Sequence, residues 1–464
     1  MLPGIVDSFT ASCMMILSKT PRTTLAYVLI GLILAVYAAV RIVNLAQAVQ
    51  KVKSADDTAA YVRISKEPIV TEKFLAGARP PVFPLALRLS GNDVERVVWA
   101  QGIFSIVSWG LLAVSLALSL RIPLLQFAAF GLTLLLSLYR HIVGWDAVLL
   151  TESLSLSLMA LFLAGWLWIA RGWSWQKAGF LVLTGFLWTF CRDTNAWVLF
   201  MIALFLVLLV SLRFASRNFL FLSLVFVILF FLSNRSADMG ERWVFPFQNV
   251  MGRRILPNEH AVDYFAGCGM PVSPALLQLS GEFANGADRA FYEDPALAEY
   301  RQWLYQSGKS CYMKWLVSRP LEIIQVPLAE FNTLISLENI QPSIFSRSFS
   351  PILPSRLEAL LYPRQGLLIL FAATWGIVLL GLWKRVWVYR NAWWVAIGIS
   401  ILVFPHYFIT WHGDIMGIYR HMVGVSIQFY LALWLLVMFA LDTLLALKPA
   451  QERSIDPRWV RNVE

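Results

Sequence analysis

The 464-residue chain is 58% hydrophobic and 14% charged, against the roughly 25% charged residues of a soluble domain. With repeated apolar runs of about 18 residues or more, this excludes a soluble globular protein and describes an all-α polytopic membrane protein. The formal charge of +10 does not indicate a nucleic-acid partner, because the basic residues are dispersed between the apolar runs rather than gathered in a patch.

In chain order the hydropathy pattern predicts ten spans, at roughly 25–46, 97–120, 122–139, 147–170, 178–192, 195–212, 219–233, 366–383, 392–410 and 422–441. The fifth and seventh are short. The first is flanked by Lys19 and Arg22, exceeds the apolar core of a signal peptide and ends at Arg41 without a small-residue cleavage site. It reads as a retained signal anchor. With the amino terminus in the cytoplasm, every inner connection carries Lys or Arg: Lys19 and Arg22; Arg121; Arg171 and Lys177; Arg213 and Arg217; Lys384, Arg385 and Arg390; and Lys448, Arg453, Arg458 and Arg461. The two long connections, 47–96 and 234–365, then both fall outside. Trp99, Trp173, Trp175, Trp393 and Trp394 lie near run ends, where amphipathic rings favour the headgroup region.

The expected organisation is a cytoplasmic segment 1–24, a first membrane module 25–233 that includes the outer loop 47–96, a mixed outer (periplasmic) domain 234–365, membrane helices over 366–441 and a cytoplasmic tail 442–464. In the outer domain, Tyr300 to Asn332 reads as a helix, a break at Pro320 and a second helix. Cys13 is expected in the cytoplasm and Cys191 near the outer membrane face. Cys268 and Cys311 share the outer domain, either bridged or as two unpaired buried thiols. No Cys/His spacing resembles a zinc site, and there is no Gly-rich phosphate loop. The lack of an evident internal repeat weighs against a transporter, because many transporters are built from repeats.

Ionisable groups at membrane depth are costly to leave unpaired and mark function by default. Four clusters qualify, all on the outer side of the ten-span topology. The first is Asp56 and Asp57 with Arg79; Tyr61 follows Asp57 by four residues and so shares its helix face. The second is Arg140, His141, Asp146 and Glu152, the last roughly one to two turns into an apolar helix. The third is Arg192 and Asp193, and the fourth His412, Asp414, Arg420 and His421. Each also has a plainer reading: solvated loop acids, a packing ion pair for Glu152, a turn and cap at Arg192-Asp193, and a headgroup anchor at Arg420-His421. His406 and His260 are read as structural.

The order of these motifs resembles a known family. A signal-anchor helix is followed by Asp-Thr-x-x-Tyr (Asp57 to Tyr61), Ala-Arg-Pro-Pro-Val-Phe-Pro (Ala78 to Pro84), Gln101 early in the second span, Leu-Thr-Glu-Ser-Leu (Leu150 to Leu154) in the fourth, and Ile-Tyr-Arg-His (Ile418 to His421) before the last. This resembles the membrane-embedded C-superfamily glycosyltransferases, such as protein O-mannosyltransferases and aminoarabinose transferases. The resemblance implies a polyprenyl-phosphate sugar donor and a glycan, lipid or protein acceptor, with transfer on the outer face of the plasma (inner) membrane. It implies an acid of the first outer loop as base: Asp57 by its spacing to Tyr61, with Asp56 as the alternative. Tyr61, Arg79, His141, Asp146, Glu152, Arg192, Arg420 and His421 are the expected substrate-binding residues. A divalent cation stays open, since some relatives use one and others do not. A lipid transporter or flippase is the alternative from another class, and an assembly factor acting through the outer domain is a third.

The topology has a direct test. Reporter fusions after Leu120, Ile169 and Leu212 should report cytoplasm, and fusions within 234–365 should report the outer side. An outside signal from the Lys384–Arg390 connection would break the ten-span arrangement.

Overall fold

A computed structural model describes residues 21–52, 54–55, 57–286, 289–337, 351–386 and 390–446. Among the described residues there is no β-strand. Without water, backbone N–H and C=O groups must pair within their own segment, so each apolar run forms a helix. Ten helices take up the ten runs: α1 (Pro21–Val49), α2 (Val94–Ala117), α3 (Pro123–Ser137), α4 (Glu152–Ala170), α5 (Trp175–Thr189), α6 (Asp193–Ser211), α7 (Phe219–Met239), α8 (Leu367–Val386), α9 (Arg390–Gly413) and α10 (Val423–Leu445). Seven of them (α1, α2, α4, α6, α7, α9 and α10) are long and apolar enough to cross a membrane. An eighth span results if α3 is joined to the segment Arg140–Ala147, which turns away from it by 55°. The chain is a polytopic membrane protein.

The expectation of ten full spans is therefore modified at three helices. α3 stops at Ser137 and bends, α5 has only 15 residues, and the apolar part of α8 runs over Leu367–Leu379. α10 is central, with 83% of its spanning window buried in the protein, whereas α1 is peripheral at 17%. Cys13, Lys19 and the basic residues of the tail lie outside the described residues.

The bend after α3 has a polar reason. Arg41, deep in α1 and 1% exposed, donates to Ser137 O (2.9 Å), Ser105 Oγ (2.7 Å) and Asp146 Oδ2 (2.7 Å). Asp146 Oδ1 accepts from Ser153 Oγ at 2.6 Å, and its carbonyl accepts from Gln101 Nε2 at 3.1 Å. The bent segment thus brings Asp146 across to neutralise an arginine that α1 carries into the apolar interior, tying four helices together.

A second core lies outside the bundle. Val244, Phe247, Met251, Phe265, Leu304 and Trp315 are buried together there. Of the two readings of Cys268 and Cys311, the structure has the bridged one, with Cα atoms 6.2 Å apart. The expected helix, break and helix are present as Ala298–Trp303 continuing through Lys309–Ser318, then Pro320–Ile335. The latter helix leaves the second core, for Phe331, Leu334 and Ile335 pack with the bundle and Pro327 O accepts from Tyr407 Oη at 2.6 Å.

The end of α7 and the turn after it clamp the first loop. Ser236 Oγ donates to Leu75 O (2.8 Å) and Arg242 Nη1 to Gly77 O (2.9 Å). Gly240 lies so close that a Cβ there would sit 2.2 Å from Gly77 O and 2.6 Å from Ala76 O. Gly240→Ala must push backbone aside, so we expect a cost of about 1–3 kcal/mol and a displaced Arg79. Gly131, with open space around its Cβ position, provides the control: Gly131→Ala should leave the thermal unfolding midpoint unchanged or raise it.

Candidate functional site

The loop after α1, the starts of α4 and α6, and the turn before α10 meet at one end of the bundle. Asp57 is the N-cap residue of the helix Thr58–Ser65. One turn on, Tyr61 is buried against Phe83 of the Arg-Pro-Pro turn, ring centroids 5.1 Å apart, and the Arg79 guanidinium lies 5.8 Å from the Tyr61 ring centre. The proline-rich turn is held to the bundle by Val82 N–H donating to Phe190 O (3.2 Å). The spacing from Asp57 to Tyr61 and the turn at Arg79 thus form one contact.

Asp57 Oδ1 accepts from Arg79 Nη2 at 2.5 Å and its Oδ2 from Arg420 Nη2 at 2.9 Å. Arg420 Nε also lies 3.4 Å from Glu152 Oε1, and Arg192 Nη1 donates to the same oxygen at 3.4 Å. Arg192 Nη2 stands 2.7 Å from His421 Nδ1. A guanidinium has no acceptor, so Nδ1 must accept and the ring proton is assigned to Nε2, which faces Asp414 Oδ2 at 3.7 Å. The four expected clusters contribute unequally. Asp57, Arg79, Glu152, Arg192, Arg420, His421 and Asp414 come together, whereas Asp193 turns aside to take a bidentate pair from Arg242 at 2.9 and 3.0 Å.

Asp146 and His141 are not in this cluster. The bend that gives Asp146 to Arg41 also takes His141 away, to lie edge-on to Tyr139 at 4.8 Å. Beside it, Arg140 pairs with Glu358 at 3.3 Å. Asp56 falls outside the described residues. His406 Nδ1 donates to Gln428 Oε1 (2.7 Å), well inside the bundle. The sequence reading uses Arg41 only to mark the first run and singles out neither Arg242 nor Asn249. Arg41 was visible as a charge inside an apolar helix, but nothing in the sequence pairs Arg242 with Asp193 or Asn249 with Asp414.

At the centre, three guanidiniums face the two carboxylates of Asp57 and Glu152, with Asp414 standing beyond His421 at the edge. Burial pushes the Asp57 carboxyl up, but the guanidiniums of Arg420 and Arg79 outweigh it and hold Asp57 below the usual carboxylate range. Burial likewise opposes the charge on Arg420, and Glu152 and Asp57 more than compensate. His421 is pushed down by burial and by Arg420 and Arg192 despite Asp414, which keeps it neutral. Burial raises the Tyr61 phenol, which stays protonated. Glu152 is 2% exposed, yet its Oε2 meets no donor among the described residues. A buried carboxylate oxygen of this kind calls for a polar partner. No group of three or more His, Cys, Asp or Glu side chains suited to a metal ion occurs among the described residues.

Below the cluster, a cavity of about 580 Å³ runs between α4, α6 and α9, lined by Met159, Phe162, Trp166, Trp188, Phe205 and Leu402, among others. Met159 lies two turns along α4 from Glu152, and Trp188 one turn before Arg192. The chamber thus begins one to two helical turns from the polar cluster and runs away from it to Arg213 and Trp394.

No family model matches the sequence, and no curated protein does. Among solved structures the chain is similar to the archaeal oligosaccharyltransferase AglB from Archaeoglobus fulgidus, solved in complex with an inhibitory peptide and a dolichol-phosphate. The likeness has 12% sequence identity and a TM-score of 0.37, covering 89% of this chain and 51% of that one. The chain thus spans about half the length of the structure it matches.

Arg420→Gln removes a partner from both carboxylates, and stripping one member from a largely buried ion network costs about 3–5 kcal/mol. Arg79 is one-third exposed and Asp57 would keep Arg420, so Arg79→Gln should cost less than about 1 kcal/mol. Because pairing lowers the Asp57 pKa, its stabilisation is present above the unfolded value and fades as pH falls through the folded one. Denaturation in micelles at a series of acidic pH values should show that fading in the parent and less of it in Arg420→Gln. Equal losses from the two substitutions would contradict the shared-arginine geometry.

Proposed function

We propose that this protein is a glycosyltransferase that moves a sugar from a polyprenyl-phosphate donor to an acceptor hydroxyl at the outer face of a cell membrane. The observation that carries the reading is an arginine-rich Arg–carboxylate cluster at the end of a bundle that holds an apolar chamber. A lipid phosphate needs both at once: guanidiniums for the anion and a dry channel for the isoprenoid tail. The motif order from Asp57 to Tyr61, through Arg79, to Glu152 and to Arg420-His421 supports it, because those residues touch. The Cys268–Cys311 bridge supports an oxidising compartment on that side.

In the proposed reaction the acceptor oxygen forms a bond to the anomeric carbon as the carbon–oxygen bond to phosphate breaks, with inversion. The electron pair leaves with the polyprenyl phosphate, whose growing charge is met by Arg420 and Arg192, with Arg79 at the rim. Asp57 takes the proton of the attacking hydroxyl. In the resting cluster Asp57 is engaged by two arginines; when these turn to the phosphate, its carboxylate is released towards the acceptor. Glu152 keeps Arg192 and Arg420 aligned, and its Oε2 is placed to accept from a sugar hydroxyl. A flippase would need polar groups along its path, whereas here the chamber below the cluster is lined mainly by apolar side chains.

Binding can be tested before the sugar is known. The protein in nanodiscs should bind farnesyl phosphate, should not bind farnesol comparably, and should release the ligand only weakly to inorganic phosphate. Asp57→Asn preserves shape but removes proton-accepting ability. Since general-base help is worth roughly 10²–10⁴-fold, transfer should fall by about that factor while farnesyl phosphate binding persists. Acceptor and sugar would be identified by mass spectrometry of envelope glycans from cells with and without the chain. Full turnover by both Asp57→Asn and Asp56→Asn would remove the first loop from the chemistry.

A further inference from the structure

The proposed chemistry makes no use of Asn249, although this residue is fully buried at the junction of the second core and the bundle. It belongs to the short helix Val244–Val250. Its Oδ1 accepts the N–H of Ala284 at 2.9 Å, which directs Nδ2 towards Asp414, where it donates to Oδ1 at 3.2 Å. The same Asp414 oxygen accepts the N–H of Met416 at 2.9 Å, folding the chain after α9 into a turn. Gly417 then takes a left-handed conformation (φ 64°) and starts the short helix Ile418–His421. The other Asp414 oxygen faces His421, which meets Arg192, which meets Glu152. Other contacts from the second core attach upstream: Arg254 Nη1 donates to Trp411 O, and Tyr312 Oη to His412 O. These hold the end of α9; Asn249 reaches the turn itself.

We infer that Asn249 is a positioning residue: through Asp414 it couples the unit around 244–316 to the turn that presents Arg420 and His421, and so sets the anion-binding geometry of the cluster. The coupling rests on the lipid-phosphate reading only for the ligand that the cluster takes. Its physical basis is polarity. A neutral carboxamide offers one acceptor to Ala284 and one donor to Asp414. A carboxylate at 249 would keep the first bond and set like charges together at the second. The turn would then lose its anchor while the 244–316 core stayed packed. Arg420 would leave Asp57 and Glu152 with a partner fewer, and His421 would no longer hold Arg192.

The test uses the full chain in nanodiscs and two readouts: farnesyl phosphate binding, and hydrogen exchange at the amides of Met416–Met422. Asn249→Asp should weaken binding about tenfold, within the usual range of coupling between contacting residues, and speed exchange in that turn while 244–316 remains protected. Unchanged exchange in Asn249→Asp overturns the coupling. Exchange rising throughout 244–316 also overturns it, by showing that Asn249 only supports the fold of that unit. If exchange follows the expected pattern but the parent protein binds no farnesyl phosphate, the coupling stands and the lipid-phosphate site falls.

Discussion

A charge carried into an apolar bundle must find its opposite there, and the organisation of this protein follows from that requirement. Desolvating a guanidinium costs several kcal/mol unless good geometry and additional hydrogen bonds compensate it. Arg41 and Asp146 meet the requirement inside the bundle, with serine hydroxyls completing the guanidinium's shell. Arg79, Arg192 and Arg420 meet it at the bundle's end by sharing Asp57 and Glu152. The two arrangements differ in consequence. The inner pair is closed and bends the chain after α3. The cluster at the end is arginine-rich, partly open and leaves Glu152 Oε2 without a donor among the described residues, features that the proposed anionic, hydroxyl-bearing donor would use.

Sharing also makes the cluster adjustable. Each carboxylate contacts two arginines, so the loss of one guanidinium does not strip a carboxylate bare. In the proposed reaction Asp57 is released once both Arg79 and Arg420 have turned to the phosphate; it sits at the start of a helix in a loop rather than in a spanning segment. Glu152, at the first turn of a well-buried helix, is the fixed point. In the proposed reaction, a pre-set arrangement of this kind would lower the reorganisation needed as charge moves onto the leaving group.

The framework around the cluster is held by close backbone approach as much as by charge. Gly240 lets the turn after α7 press on Ala76 and Gly77, and Arg242 spans from Asp193 to Gly77. These contacts set the position of Arg79 from outside the loop that contains it. Asn249 does the same for the turn bearing Arg420 and His421. Loops tethered from a separately packed unit can be both precise and responsive, because the tether can move without unfolding the spans.

Hydropathy alone determined the helical class, the ten helices and most of their limits, since a backbone without water has few alternatives to the helix. Local spacing likewise revealed that Asp57 and Tyr61 share a face and that Pro320 divides two helices. The partners of the charged residues were not legible, because an ion pair between residues hundreds of positions apart, such as Arg420 with Asp57, leaves no trace in local periodicity. Tertiary structure alone decided that Glu152 joins Asp57 while Asp146, six residues earlier, turns to Arg41. The reason is the 55° bend between α3 and the segment that follows, which carries the two acids to different guanidiniums. The same holds for Asn249: its carboxamide is unremarkable in sequence and acquires a role only where the second core meets the turn at Asp414.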